Sequence, residues 1–168
     1  ELREQNGIRT SKNKDFRALI RNMKTVEDND FELPLSLERV LREYQTQGFL
    51  WLKTLKTNGF GGILADDMGL GKTLQVIAFL LSESEAGSSY DDFALIVCPS
   101  SLVYNWKNEI ERFAPQLSAV TVTGSATERQ ALIHNARQEE ILITSYELLR
   151  RDLAYYENCQ FGYQIIDE

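Results

Sequence analysis

The chain has 168 residues, 43% of them hydrophobic and 26% charged, with a formal net charge of −7. That length holds one domain with a real core and is short for two. No apolar run approaches the roughly 18 residues of a membrane span and no signal sequence opens the chain, which points away from a membrane partner.

Residues 1–13 are polar, and from Asp15 onward Phe16, Leu19, Ile20 and Met23 share one helical face. Lys12, Lys14, Arg17, Arg21 and Lys24 lie on or near that helix, where a solvated face is the plainer reading and DNA contact the alternative. An acidic linker, Glu27-Asp28-Asn29-Asp30, leads into extended Leu33-Pro34-Leu35. A second helix is predicted from Leu41, Tyr44, Trp51, Leu52 and Leu55, stopping at Asn58-Gly59. Gly48 inside it costs about 1 kcal/mol relative to Ala. Strand-like runs then alternate with helical ones. The strands are expected at 62–65, 93–98, 119–123, 141–144 and 163–167, and the helices at 72–83, 101–113, 128–137 and 146–156. Leu102, Val103, Trp106, Ile110 and Phe113 form one helical stripe, and Tyr146, Leu149, Leu153 and Tyr156 another. Repeated βα units with continuous apolar strands predict an α/β fold: a parallel sheet with helices on both faces.

Between the first strand and its helix stands Asp66-Asp67-Met68-Gly69-Leu70-Gly71-Lys72-Thr73. Strand, glycine loop and helix in that order cradle nucleotide phosphates. The glycines admit backbone N–H groups to the anion, the helix N-terminus adds its dipole, Lys72 a charge, and Thr73 a hydroxyl for Mg²⁺. The strict pattern fails at one place, because Asp66 stands where the first glycine belongs. At the far end, Tyr163-Gln164-Ile165-Ile166 delivers Asp167 and Glu168 to the carboxyl edge of the sheet, where α/β proteins bind ligands. In a phosphate-loop ATPase the first such carboxylate holds Mg²⁺ and the second serves the attacking water; the bland alternative is an exposed acidic strand end.

Charge is uneven: residues 1–60 are net +2 and residues 61–168 net −9. An acidic body is a poor stand-alone nucleic-acid binder, since phosphate neutralisation supplies most non-specific affinity. Cys98 and Cys159 make neither a ligand spacing nor a disulfide framework, which fits a reducing, intracellular setting. Cys98 reads as a small buried hydrophobe, His134 as a surface residue, and Trp106 and Tyr44 as packing residues. With no initiator methionine and an abrupt end after an apolar run, the sequence reads as a piece of a longer protein.

Several motifs together resemble one family. Leu41-Arg42-Glu43-Tyr44-Gln45 with Gly48-Phe49 and Trp51-Leu52 is similar to the adenine-recognising element of superfamily-two helicase-like ATPases. Residues 66–73, followed by Leu74-Gln75, resemble the nucleotide loop of the Swi/Snf family, in which an acidic residue replaces the first glycine. The runs 97–103 with Asn105-Trp106, and 143–147, resemble its motifs Ia and Ib, and Asp167-Glu168 the first half of its DExH box. The run-up in residues 1–40 resembles bacterial members.

The resemblance implies a RecA-like phosphate-loop domain preceded by N-terminal helices: a lead-in over 1–35, then the first ATP-binding lobe over 36–168, cut within the DExH box. It implies ATP and Mg²⁺ as cofactors. Nucleotide contacts fall to Gln45, Arg42, Asp66, Asp67, Met68, Gly69, Leu70, Gly71, Lys72 and Thr73. Mg²⁺ falls to Thr73 and Asp167, and the catalytic roles to Lys72, Asp167 and Glu168. Ser100, Ser101, Thr144 and Ser145 would approach the backbone of double-stranded DNA, with Arg150-Arg151 complementing them; helix capping is the bland alternative for Ser100 and Ser101.

The implied activity is DNA-dependent ATP hydrolysis that drives translocation on the duplex. Arginines from a second RecA-like lobe would complete the site, so residues 1–168 alone are expected to be nearly inactive. The implied location is the bacterial cytoplasm and nucleoid, or the nucleus in a eukaryote. Alternatives are a strand-separating DNA or RNA helicase and a nucleotide-gated nucleic-acid-binding module without hydrolysis. A GTPase is disfavoured by the lack of an Asn-Lys-x-Asp sequence, and a small-molecule kinase by the lack of an arginine-rich lid.

Overall fold

A computed structural model describes residues 31–67, 69–87, 94–136 and 140–167. The expected first helix, its basic cluster and the acidic linker lie outside the described residues, as do Met68, Phe93, Arg137 and Glu168. Among the described residues five α-helices and four strands follow in order: α1 Glu43–Thr57, α2 Lys72–Glu85, β1 Ala94–Cys98, α3 Val103–Phe113, β2 Ser118–Thr121, α4 Ala126–His134, β3 Glu140–Ser145, α5 Tyr146–Tyr156 and β4 Tyr163–Ile166. Among the described residues no helix is long and apolar enough to cross a membrane.

The sheet is parallel throughout, in the order β2-β3-β1-β4. Its strands read as unbroken apolar runs because both faces are covered. Ala94, Ile96, Cys98, Ile141 and Ile143 join a core with Phe49, Ile77, Leu81, Trp106 and Ile110 from α1, α2 and α3. Leu95, Val97 and Leu142 point the other way, onto Ile133 of α4 and Tyr156 of α5. The expected α/β class and two-sided cover are therefore present.

The predicted strand at 62–65 is not. Residues 61–67 form no ladder among the described residues, and Ile63 is 86% exposed. The segment runs back from the end of α1 toward the start of α2, and it lies so close to α1 that a Cβ on Gly62 would sit 2.3 Å from Leu55 Cδ1 and 2.6 Å from Trp51 Cη2. A three-residue apolar run behind two glycines has the same pattern whether it joins a sheet or lies against a helix. Other departures have local causes. Helix α4 starts at Ala126, two residues before the expected start, because Ser125 and Glu128 form a capping box. The α5 stripe is rotated: Leu153 is 60% exposed and Asp152 is buried. Arg129 of α4 accounts for that rotation, holding Asp152 with two guanidinium N–H groups and the Gly124 carbonyl with a third.

Helices α1 and α2 lie side by side and parallel, as their successive contacts show. Gln45 meets Leu70, Gly48 meets Gln75, and Lys53 and Lys56 meet Ser82 and Glu83. At the far end Glu83, 2% exposed, takes Lys53, Lys56 and the Tyr163 hydroxyl of β4. Burial alone would raise its pKa; the two ammonium groups and the phenol outweigh that and hold the carboxyl below its ordinary value. In mid-helix, a methyl on Gly48 would come 1.8 Å from Gln75 Oε1, and Gln75 is fully buried. The helix-propensity loss at Gly48 is thus the condition for close packing.

Gly48→Ala is expected to destabilise the domain by about 1–2 kcal/mol in chemical denaturation despite Ala's better propensity, because overpacking outweighs it. Glu83→Gln is expected to lower stability by about 3 kcal/mol at pH 7, where the ion pairs are intact. A depressed folded-state pKa stabilises above the unfolded carboxylate value of about 4.3 and ceases to do so as pH falls through the folded value. The gap between wild type and Glu83→Gln in thermal melts should therefore close below about pH 4.

Candidate active site

The phosphate loop hangs between α1 and α2. Gly71 is the residue before α2 and has φ 71°, and Gly69 has φ 83°; both are left-handed conformations that favour glycine. Gly71 is doubly constrained, since a Cβ there would lie 2.4 Å from Gln45 Nε2. Lys72 curls over the loop and donates to the carbonyls of Asp66 (2.8 Å) and Asp67 (3.2 Å). Thr73 stands beside it in the first turn of α2, half-buried. Leu70 is tied from α1 by Gln45 Nε2 and the Tyr44 hydroxyl, each donating to its carbonyl at 3.1 Å. The other end of the Gln45 amide accepts the Arg42 N–H at 2.9 Å. Both helices thus present their N-termini to the loop, and both dipoles favour an anion there.

Asp66, the residue in the place of a glycine, is reached by Gln75 Nε2 at 3.4 Å. The sequence placed Gln75 only in the run that follows the loop; the signal for its contact was an amide within the apolar run of α2, at a position that proves to be fully buried.

Asp167 follows β4 at the carboxyl edge of the sheet, and its N–H donates to Val97 O of β1 at 2.8 Å. Trp106 Nε1 of α3 donates to Asp167 Oδ2 at 2.8 Å, and the Tyr146 hydroxyl of α5 donates to Asp167 O at 2.8 Å. Trp106 does pack in the core, as expected, yet it also bonds the acidic residue that the sequence singled out. Burial, reinforced by the Asp167 charge, pushes the neighbouring Cys98 thiol up to about 11.

The loop and Asp167 occupy the same end of the fold. Phe79 of α2 stacks edge-on against Tyr163 at the start of β4. From that contact Lys72 lies about 10 Å back along α2 and Asp167 about 13 Å forward along β4. Glu83, near the C-terminal end of α2, takes the hydroxyl of Tyr163 at the start of β4, so the helix runs against the strand and the two displacements point the same way.

The four hydroxyl residues separate into two kinds. Ser100 and Ser101 are exposed on a 3₁₀ turn leading into α3, and neither caps the helix with its side chain. Thr144 and Ser145 are buried: Ser145 Oγ caps α5 by accepting the Leu148 N–H at 3.3 Å, and Thr144 faces Tyr156. Arg150 and Arg151 are exposed on α5, and His134 is exposed at the end of α4. Among the described residues no group of three or more His, Cys, Asp and Glu gathers to hold a metal. A hydroxyl and one carboxylate suit Mg²⁺, which is commonly held by one or two protein oxygens together with substrate phosphates.

Comparison with known proteins agrees with this geometry. A profile of the SNF2-related domain matches residues 44–168. An uncharacterized ATP-dependent helicase of Mycoplasma genitalium is 40% identical over 148 residues, 87% of this chain and 14% of the relative. The chromatin-remodeling ATPase INO80 of Sclerotinia sclerotiorum is 38% identical over 151 residues, 84% of this chain and 9% of the relative, so the chain spans a small part of either protein. Among solved structures, the Sulfolobus solfataricus SWI2/SNF2 ATPase core in complex with dsDNA matches with a TM-score of 0.64 and 37% identity, over 76% of this chain and 26% of that one. The chain belongs to the SNF2-related domain family, and its sheet and helices are those of the family's RecA-like ATPase lobe.

Proposed function

We propose that this chain is the first ATP-binding lobe, over residues 36–168 with a lead-in over 1–35, of an ATP-driven translocase on double-stranded DNA. One observation carries the reading: a glycine loop braced by Gln45 opens α2 at the same edge of the sheet where β4 delivers Asp167. The names of the relatives, helicase and chromatin-remodeling ATPase, and the DNA bound to the Sulfolobus core support the same activity.

Gln45 suits adenine in particular. Its Oε1 now takes an N–H and its Nε2 a carbonyl. Adenine offers the same pair, the N6 amino group and the N7 acceptor, so the base can replace Arg42 N–H and Leu70 O without reorienting the amide. Backbone N–H groups of residues 69–73 and the Lys72 ammonium receive the β- and γ-phosphates. To do so Lys72 exchanges its bonds to the Asp66 and Asp67 carbonyls for phosphate oxygens. Thr73 and Asp167 would hold Mg²⁺, which neutralises charge developing on the phosphate oxygens. Glu168 orients the attacking water. Ser100 and Ser101, exposed beside the N-terminus of α3, meet the DNA backbone. Thr144 and Ser145 support that surface from beneath. Arginines from a second lobe complete the site. Duplex DNA as partner places the protein with the bacterial nucleoid, or in the nucleus of a eukaryote.

In the full-length protein, Lys72→Ala is expected to lower ATP turnover about 100-fold or more, and a blunt duplex should stimulate the wild type at least as well as a single strand does. Stimulation by single strands alone would instead indicate strand separation, and an unaffected Lys72→Ala would leave only a binding module. Residues 1–168 by themselves should show negligible turnover. Gln45→Glu, which keeps an acceptor for N6 and loses the donor for N7, an acceptor that adenine and guanine share, is expected to weaken ATP binding roughly tenfold while leaving the preference for ATP over GTP in place, read from competitive displacement of a fluorescent ADP.

A further inference from the structure

Asp167 is held from three directions by three elements. Its N–H goes to β1, its carbonyl receives the Tyr146 hydroxyl of α5, and its carboxylate receives the Trp106 indole of α3. These two helices start at the hydroxyl-bearing edge: α3 directly after the exposed Ser100-Ser101 turn, and α5 directly after Ser145. Tyr146 is the first residue of α5, and Trp106 lies within the first turn or so of α3. Both donors therefore move with the ends of the helices that face the edge where DNA is placed above.

We propose that Trp106 and Tyr146 are positioning residues that couple DNA contact at the exposed Ser100-Ser101 turn before α3 to the setting of the Asp167 carboxylate, with Tyr146 holding the same residue's backbone from α5. The proposal rests on the reading of Asp167 as a Mg²⁺-bearing residue and of this edge as the DNA-facing one. A hydrogen bond is directional, so a donor fixed to a rigid helix fixes the rotation of the carboxylate that accepts from it. Trp106 is 3% exposed, and its ring is clamped among core side chains, so the indole cannot swing independently of α3. Tyr146 fixes the backbone of the same residue from the other helix. A shift of α3 relative to α5, of the kind that a phosphate contact at the exposed start of α3 imposes while the buried start of α5 stays in place, therefore turns the carboxylate instead of carrying the whole residue along. A purely structural account is available for Trp106, since a buried indole N–H needs an acceptor. It does not explain why the half-buried Tyr146 reaches the same residue from the opposite helix.

The test uses the full-length protein with Trp106→Phe, which keeps an apolar ring and removes the donor, and Tyr146→Phe, which removes only a hydroxyl. Two quantities are read: the ratio of duplex-stimulated to basal ATP turnover at saturating blunt duplex, and the Mg²⁺-dependent gain in affinity for a fluorescent ADP, measured with and without duplex. In the wild type, duplex should increase the Mg²⁺-dependent gain. In each variant that increase should vanish and the stimulation ratio fall roughly tenfold, about the loss of one hydrogen bond, with kcat affected more than KM for ATP. A wild-type ratio and gain in Tyr146→Phe, or in a Trp106→Phe protein whose melting temperature is preserved, overturns the proposal. Tyr146→Phe decides alone if Trp106→Phe does not fold. Lys72→Ala measured alongside separates the two levels. If it still binds and hydrolyses ATP, the nucleotide reading has failed; if it is inactive while both positioning variants behave as wild type, only the coupling has failed.

Discussion

The parallel locking of α1 onto α2 governs the rest of the site. A phosphate loop is a strip of backbone with few side chains of its own to hold it, so its shape must be imposed from outside. Here it is imposed by a neighbouring helix fixed at two points more than two helical turns apart. At one end the buried Glu83 gathers Lys53, Lys56 and Tyr163. At the other, Gln45 and Tyr44 grip Leu70. Between them Gly48 and Gln75 set how closely the two axes approach. Because Tyr163 belongs to β4, the same cluster also ties the loop's helix to the strand that ends in Asp167, and a single ionic group aligns both halves of the candidate site.

The residues proposed to hold the nucleotide were legible in the sequence. Gly69, Gly71, Lys72 and Thr73 announce themselves because phosphate binding by main chain demands small residues and a helix start at fixed spacing. The two central strands were equally plain, since β1 and the middle of β3 are buried runs of Ala, Ile, Leu and Val. Local signals were also available where the reading fell short. Ser125 and Glu128 spelled the start of α4, and a polar Asp152 in an otherwise apolar helix face anticipated a partner such as Arg129.

What the chain did not reveal were contacts between residues distant in sequence. Trp106 and Asp167 are joined across 61 positions, and Tyr44 and Leu70 across 26. An indole inside a helical stripe looks the same whether its N–H meets a carbonyl, a water or a catalytic carboxylate. The fate of residues 61–67 was hidden for a related reason: a short apolar segment next to two glycines fits a sheet or a helix surface equally well, and only the packing of Trp51 and Leu55 decides between them. Thr144 and Ser145 show the converse. The family resemblance implied backbone contacts for both; in the structure both are buried, and Ser145 caps α5.

The placement of β4 has a practical consequence. Among the described residues it pairs with β1 on one side only, and on that outer strand Ile166 is 72% exposed while Ile63 of the unpaired segment is 86% exposed. A short strand paired on one side is a template for addition of another chain, and this one carries no lysine or proline to discourage it. For residues 1–168 handled alone, self-association through that edge is the hazard to expect as concentration rises, and a charged residue in place of Ile63 or Ile166 is the natural remedy.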